Sequence, residues 1–137
     1  MIVGIGVDLL HLPRLRSLLK RRNPQQLASR ILSNEELQEW KEYQVDWNMK
    51  QKESYLALRW TAKEAAYKAL YPLAKPTWKD LVVKKLDKKP ILQFSPSFLS
   101  ASNPQHSLDS ALDQLTTHLS VSHDGAMMVA YVVVEKG

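Results

Sequence analysis

The chain has 137 residues, no cysteine and a formal net charge of +5. That length predicts one domain, residues 1–137, large enough to bury a core of its own. The composition excludes a disulfide framework and a thiolate metal site, and no apolar run reaches the ~20 residues that a membrane-spanning helix needs. A basic chain predicts an acidic partner: nucleic acid, an anionic membrane, a phosphorylated small molecule or an acidic protein.

Residues 2–10 alternate Val3, Ile5, Val7 and Leu9 with Gly4, Gly6, Asp8 and Leu10. This is the pattern of a strand with one apolar face, and its other face leads from two glycines to one acid. The same stretch lacks the basic start of a signal peptide, so an intracellular protein is expected. Pro13 starts a helix to about Arg22, with Leu15, Leu18 and Leu19 on one side and Arg14, Arg16, Lys20 and Arg21 over the rest. Ser33-Asn34-Glu35-Glu36 is a capping box that predicts a short helix to about Tyr43. Residues 44–52 read as a polar loop, and residues 53–70 as a long helix ended by Pro72. Residues 77–86 and 90–94 predict a hairpin turning at Asp87-Lys88-Lys89. Residues 95–107 read as an irregular insert and 107–115 as a short helix. Residues 117–123 and 126–135 predict a second hairpin around Asp124-Gly125. The expected class is α+β: a mainly antiparallel sheet packed against a long central helix.

The long helix holds the candidate chemistry. On a wheel, Leu58, Ala62, Ala65, Ala66 and Ala69 form one face, which allows close approach to a sheet. Trp60, Thr61, Glu64 and Lys68 form the opposite flank. Glu64 and Lys68 at i,i+4 read either as a surface ion pair or as a functional acid and amine. Asp8, an acid in an apolar strand, needs a partner: a basic side chain, or a hard cation such as Mg²⁺. His123, before the hairpin turn, can either bond its own turn or serve a phosphate. The basic helix of Arg14 and Arg21 is either a solvated face or a docking surface for an acidic helix.

Three blocks in order carry a family resemblance: Gly4-Ile5-Gly6-Val7-Asp8 with Arg14 downstream; Arg59-Trp60-Thr61-Ala62-Lys63-Glu64-Ala65-Ala66-Tyr67-Lys68-Ala69; and Leu119-Ser120-Val121-Ser122-His123-Asp124. Together they resemble the small 4′-phosphopantetheinyl transferases, the holo-[acyl-carrier-protein] synthases. The resemblance implies transfer of phosphopantetheine from coenzyme A to a serine of an apo acyl carrier protein, releasing 3′,5′-ADP. It implies Mg²⁺ on Asp8 and Glu64, with Lys68 at a phosphate and Glu64 as the base. Arg59, Ser122 and His123 would line the coenzyme A site, and Arg14 and Arg21 would meet the carrier protein. It also implies a homotrimer with a site in each cleft between subunits, and neither nucleic acid nor a membrane as partner. Leu70-Tyr71-Pro72 departs from the glycines of the bacterial pattern and looks more like the fungal mitochondrial-type branch, which favours the mitochondrial matrix over the cytoplasm. The rival readings from the residues alone are a Mg²⁺-dependent nuclease and a basic nucleic-acid-binding protein.

Overall fold

A computed structural model describes residues 1–96, 98 and 112–137. Most of the expected insert at 95–107 and most of the expected helix at 107–115 lie outside the described residues. The elements run β1 (Ile2–His11), α1 (Leu12–Arg21), α2 (Pro24–Ile31), α3 (Asn34–Tyr43), α4 (Met49–Leu70), β2 (Leu81–Leu86), β3 (Lys89–Phe94), β4 (Leu115–Asp124) and β5 (Met127–Lys136). Short 3-10 turns stand at Gln44–Asp46 and Trp78–Asp80. This is an α+β architecture with antiparallel sheets. One sheet has the order β1-β5-β4, and β2 and β3 form a separate hairpin. The two meet where the Thr117 hydroxyl donates to the Leu92 carbonyl at 2.7 Å.

The local chemistry explains most boundaries. Ser33 accepts from the Glu36 N–H while the Glu36 carboxylate accepts from the Ser33 N–H, so the expected capping box starts α3. A second box, Asn48 with Gln51, starts α4 four residues before the expected position. The supposed loop is therefore partly helix. Asn23 caps α2, an element the sequence reading did not contain. The β2–β3 turn places Asp87 and Lys88 at φ of 48° and 71°, as a tight two-residue hairpin requires. Residues 77–80, expected as strand, form a cap and a 3-10 turn instead, with Thr77 and Asp80 bonding each other.

Two apolar clusters share α4. Its N-terminal half, with Tyr55, Leu56 and Ala57, packs against α1, α2 and α3 around Trp40. Its C-terminal half, with Ala62, Ala65, Ala66 and Ala69, packs against Val83, Leu92, Leu119, Ala130 and Val132. The reason for the small residues is direct. A Cβ on Gly4 would lie 1.8 Å from the Ala69 carbonyl oxygen, and one on Gly6 would lie 1.9 Å from that of Ala65. The backbones of β1 and α4 touch, and no side chain fits between them.

The alternation of β1 has the opposite sense from the usual one. The glycine and Asp8 row faces the helix. The apolar row faces out: Ile5 and Leu9 are each 62% exposed, Val7 is 42% exposed, and Tyr131 on β5 is 51% exposed.

Candidate active site

The contact between β1 and α4 delivers three charged side chains to one place. Asp8 lies two residues beyond Gly6 on the row that faces the helix, and it is 8% exposed. Glu64 and Lys68 come one turn apart from α4. The Lys68 ammonium donates to Asp8 Oδ1 at 3.2 Å and to the Val7 carbonyl at 3.1 Å. Lys68 thus pairs with the strand acid 60 residues away in the chain. Half-buried Glu64 lies close enough to Asp8 for the two carboxyls to interact. Burial first, and then the Asp8 carboxylate, hold the Glu64 carboxyl above its usual 4.5; Lys68 and a hydrogen bond from Trp60 oppose that shift.

A pocket of about 300 Å³ opens beside this trio. One wall is Lys63, Glu64, Tyr67 and Lys68 of α4; the other is Pro76, Thr77, Trp78 and Leu81. The pocket therefore joins an acid and an amine to an aromatic and apolar surface, the usual mixture of a small-molecule site.

The other expected site residues stand elsewhere on this chain. Arg59 is buried, with its guanidinium 3.6 Å over the Tyr55 ring and 3.7 Å and 3.8 Å from Glu36 and Glu39. Its Nε has no hydrogen-bond partner among the described residues, and it borders a different cleft of about 500 Å³ with Trp47 and Lys84. His123 pairs across the sheet with Met128 and Leu10, so it shares the inner face with Asp8. It opens onto a larger groove of about 1060 Å³ between α1, α4 and the hairpin tips. Ser122 pairs with Val129 and Leu9, which places it on the outer face. Arg14 and Arg21 are exposed on α1. Thr61, expected beside Glu64, is fully buried, and its hydroxyl donates back to the Ala57 carbonyl.

The sequence reading missed the group behind the site. Glu36 is 2% exposed and accepts from the Ser33 and Val83 N–H groups and from the Lys63 ammonium. Lys63 spends its other donors on the Ile31 and Trp78 carbonyls. Burial lowers the Lys63 pKa, and Glu36 counters it. The capping box already named Glu36, but its second partner is 27 residues away and no local pattern marks it.

Residues 4–121 match the sequence model of the 4′-phosphopantetheinyl transferase superfamily. The chain belongs to that superfamily. Among curated relatives, a holo-[acyl-carrier-protein] synthase of Hydrogenovibrio crunogenus is 46% identical over 70 residues, 51% of this chain and 50% of the relative. That match spans about half of the relative's length. A Polaromonas enzyme of the same description is 32% identical over 144 residues, covering 99% of this chain and 98% of the relative. Among solved structures, a holo-(acyl-carrier-protein) synthase of Bacillus anthracis in complex with CoA (3′,5′-ADP) aligns at a TM-score of 0.72 and 30% identity, covering 100% of this chain and 99% of that one. The α+β arrangement is therefore the arrangement of the family. No helix among the described residues is long and apolar enough to cross a membrane.

Proposed function

We propose that the chain transfers the 4′-phosphopantetheine group of coenzyme A to a serine of an apo acyl carrier protein. The serine oxygen bonds to the phosphorus that carries pantetheine. The bond from that phosphorus to the bridging oxygen breaks, and 3′,5′-ADP leaves with the electron pair. The observation that carries this reading is the meeting of Asp8, Glu64 and Lys68 beside a pocket with aromatic walls.

Mg²⁺ fits the two acids. Ionised Asp8 and Glu64 repel each other at close range, and Lys68 offsets one of the two charges. A divalent cation is the group that lets both stay ionised. Among the described residues no three His, Cys, Asp or Glu side chains gather. Two carboxylates suit Mg²⁺, which takes its remaining ligands from phosphate and water. When bound, the ion neutralises charge on the diphosphate. The chain's own residues do the rest. Lys68, 55% exposed at its side chain, is free to turn from Asp8 toward a phosphate oxygen. Glu64, which borders the pocket one helical turn from Lys68, is the base for the serine proton. The pocket wall of Tyr67 and Trp78 shelters an apolar part of the coenzyme.

The outward apolar row of β1 supports a homotrimer, with this face covered by neighbouring copies. In that assembly Ser122, on the same outer face, contributes to a neighbour's cleft. His123 and Arg59 reach the coenzyme from the grooves they border. Arg14 and Arg21 meet the acidic helix of the carrier protein. The reaction belongs in an intracellular compartment. The relatives named above are bacterial, and they lend no support to the mitochondrial matrix. Mass spectrometry of an apo carrier protein incubated with coenzyme A and Mg²⁺ tests the reading. A gain of one phosphopantetheine on one serine supports it, and an unmodified carrier refutes it.

A further inference from the structure

The outer wall of the 300 Å³ pocket is a short strap between α4 and β2. Its internal bonds hold it only to itself: the Thr77 N–H and hydroxyl both donate to Asp80, at 2.7 Å and 2.9 Å. Besides the packing of the Trp78 ring against Trp60 of α4, at 5.7 Å between centroids, its polar attachment to the helical layer runs through two lysines. Lys63 reaches from α4 to the Trp78 carbonyl at 2.9 Å and to the Ile31 carbonyl at 2.8 Å. Lys79, in the strap, reaches the Ser29 and Leu32 carbonyls, both at 2.6 Å. Ser29, Ile31 and Leu32 are the last carbonyls of α2 and the residue after it. Helix ends leave such carbonyls without intrahelical donors, and the negative end of the helix dipole favours cations there.

An ammonium has three donors. Lys63 gives one each to Ile31, Trp78 and Glu36, and its side chain is 1% exposed. It has no donor left for a phosphate, although it stands next to Glu64 and borders the pocket. Its effect on a ligand must pass through the wall that it holds. We propose that Lys63 and Lys79 are positioning residues: together they hang the Trp78 wall from the C-terminal end of α2, and so set affinity for the coenzyme rather than the rate of transfer. This rests on the reading of the pocket as part of the coenzyme A site.

Lys79→Met is the primary test, because Lys79 is only half-buried and its loss leaves no buried carboxylate unpaired. Steady-state transfer should show a KM for coenzyme A raised by about 5–10-fold with kcat within about twofold. Lys63→Met should show the same split, more strongly. Lys41→Met, which removes an exposed charge on α3 away from the pocket, should leave both constants unchanged. If Lys63→Met fails to fold by circular dichroism, Lys79→Met decides alone. A fall in kcat with KM unchanged, or no change in either constant in Lys79→Met, overturns the inference. Calorimetric titration of 3′,5′-ADP into wild type and Lys79→Met separates this from failure of the proposed function. If wild type transfers nothing yet binds 3′,5′-ADP, a weaker variant still supports the wall, and equal affinity sinks it.

Discussion

Gly6→Ala adds one carbon and two hydrogens, and its cost can be worked from the contact it would break. The new Cβ would lie 1.9 Å from the Ala65 carbonyl oxygen and 2.6 Å from the Ala69 nitrogen. Cβ atoms essentially never approach heavy atoms within 3.0 Å, so β1 and α4 must part by about 1.1 Å or more. Both obstacles are helix backbone, so no side chain can swing aside. Overpacking of a core ordinarily costs about 1–3 kcal/mol, and a clash between two backbones belongs at the top of that range or above it. The functional loss should be larger in proportion. Asp8 rides on β1 and Glu64 and Lys68 on α4, so the same parting opens the site, and a misplacement of about 1 Å can cost on the order of 10²-fold in rate. Urea denaturation gives the stability change, and transfer kinetics with saturating coenzyme A and carrier protein give the rate. A Gly6→Ala protein with wild-type denaturation midpoint and wild-type kcat would refute the claim that backbone contact sets the site.

Glu64→Gln should lower Mg²⁺-dependent transfer by about 10²–10³-fold with an unchanged circular dichroism spectrum; near-wild-type transfer would remove Glu64 from the metal and base roles. In metal-free protein the raised Glu64 pKa means that the folded state holds the proton more tightly than the unfolded chain. Its contribution to stability is therefore present below about pH 4.5 and lost as pH rises through the raised value. Proton titration by NMR should show Glu64 above the usual range, and Asp8→Asn should lower it only in part, because burial is the larger cause. Charge reversal at Arg14 and Arg21 should raise the KM for the carrier protein more than that for coenzyme A; equal effects would defeat the docking assignment. Ile5→Glu should convert a trimer to a smaller species in multi-angle light scattering; a wild-type chain that is already a fully active monomer would contradict the shared cleft.

The parts of the fold legible in the sequence were those written in local chemistry. Ser33 and Glu36 announced α3, and the alternation in residues 2–10 announced β1. The alanines of α4 signalled a close approach, and Gly4 and Gly6 supplied its other half. Asn48 and Gln51 mark the start of α4 equally well, but the mostly polar composition of residues 44–52 masks it. Asn23-Pro24, a cap followed by a first-turn proline, was likewise sufficient to mark α2. The Glu36–Lys63 pair and the strap of Trp78 were not legible, since nothing in residues 27 or 15 positions apart signals contact. The outward direction of the apolar row was hidden for a different reason. Alternation tells which residues share a face, and only packing tells which face is covered.

Gly4 and Gly6 also act as a gauge of alignment. Strand pairing has a period of two, so a slip of β1 by one residue would turn Asp8 to the outside. It would also bring Val3, Ile5 or Val7 beneath Ala65 and Ala69, where even a methyl group finds backbone at 1.8–1.9 Å. The strand therefore has one position under the helix that sterics permit. The two residues with no side chain decide where the carboxylate next to them must stand, and an error of assembly that would cost the site is excluded before any metal or coenzyme arrives.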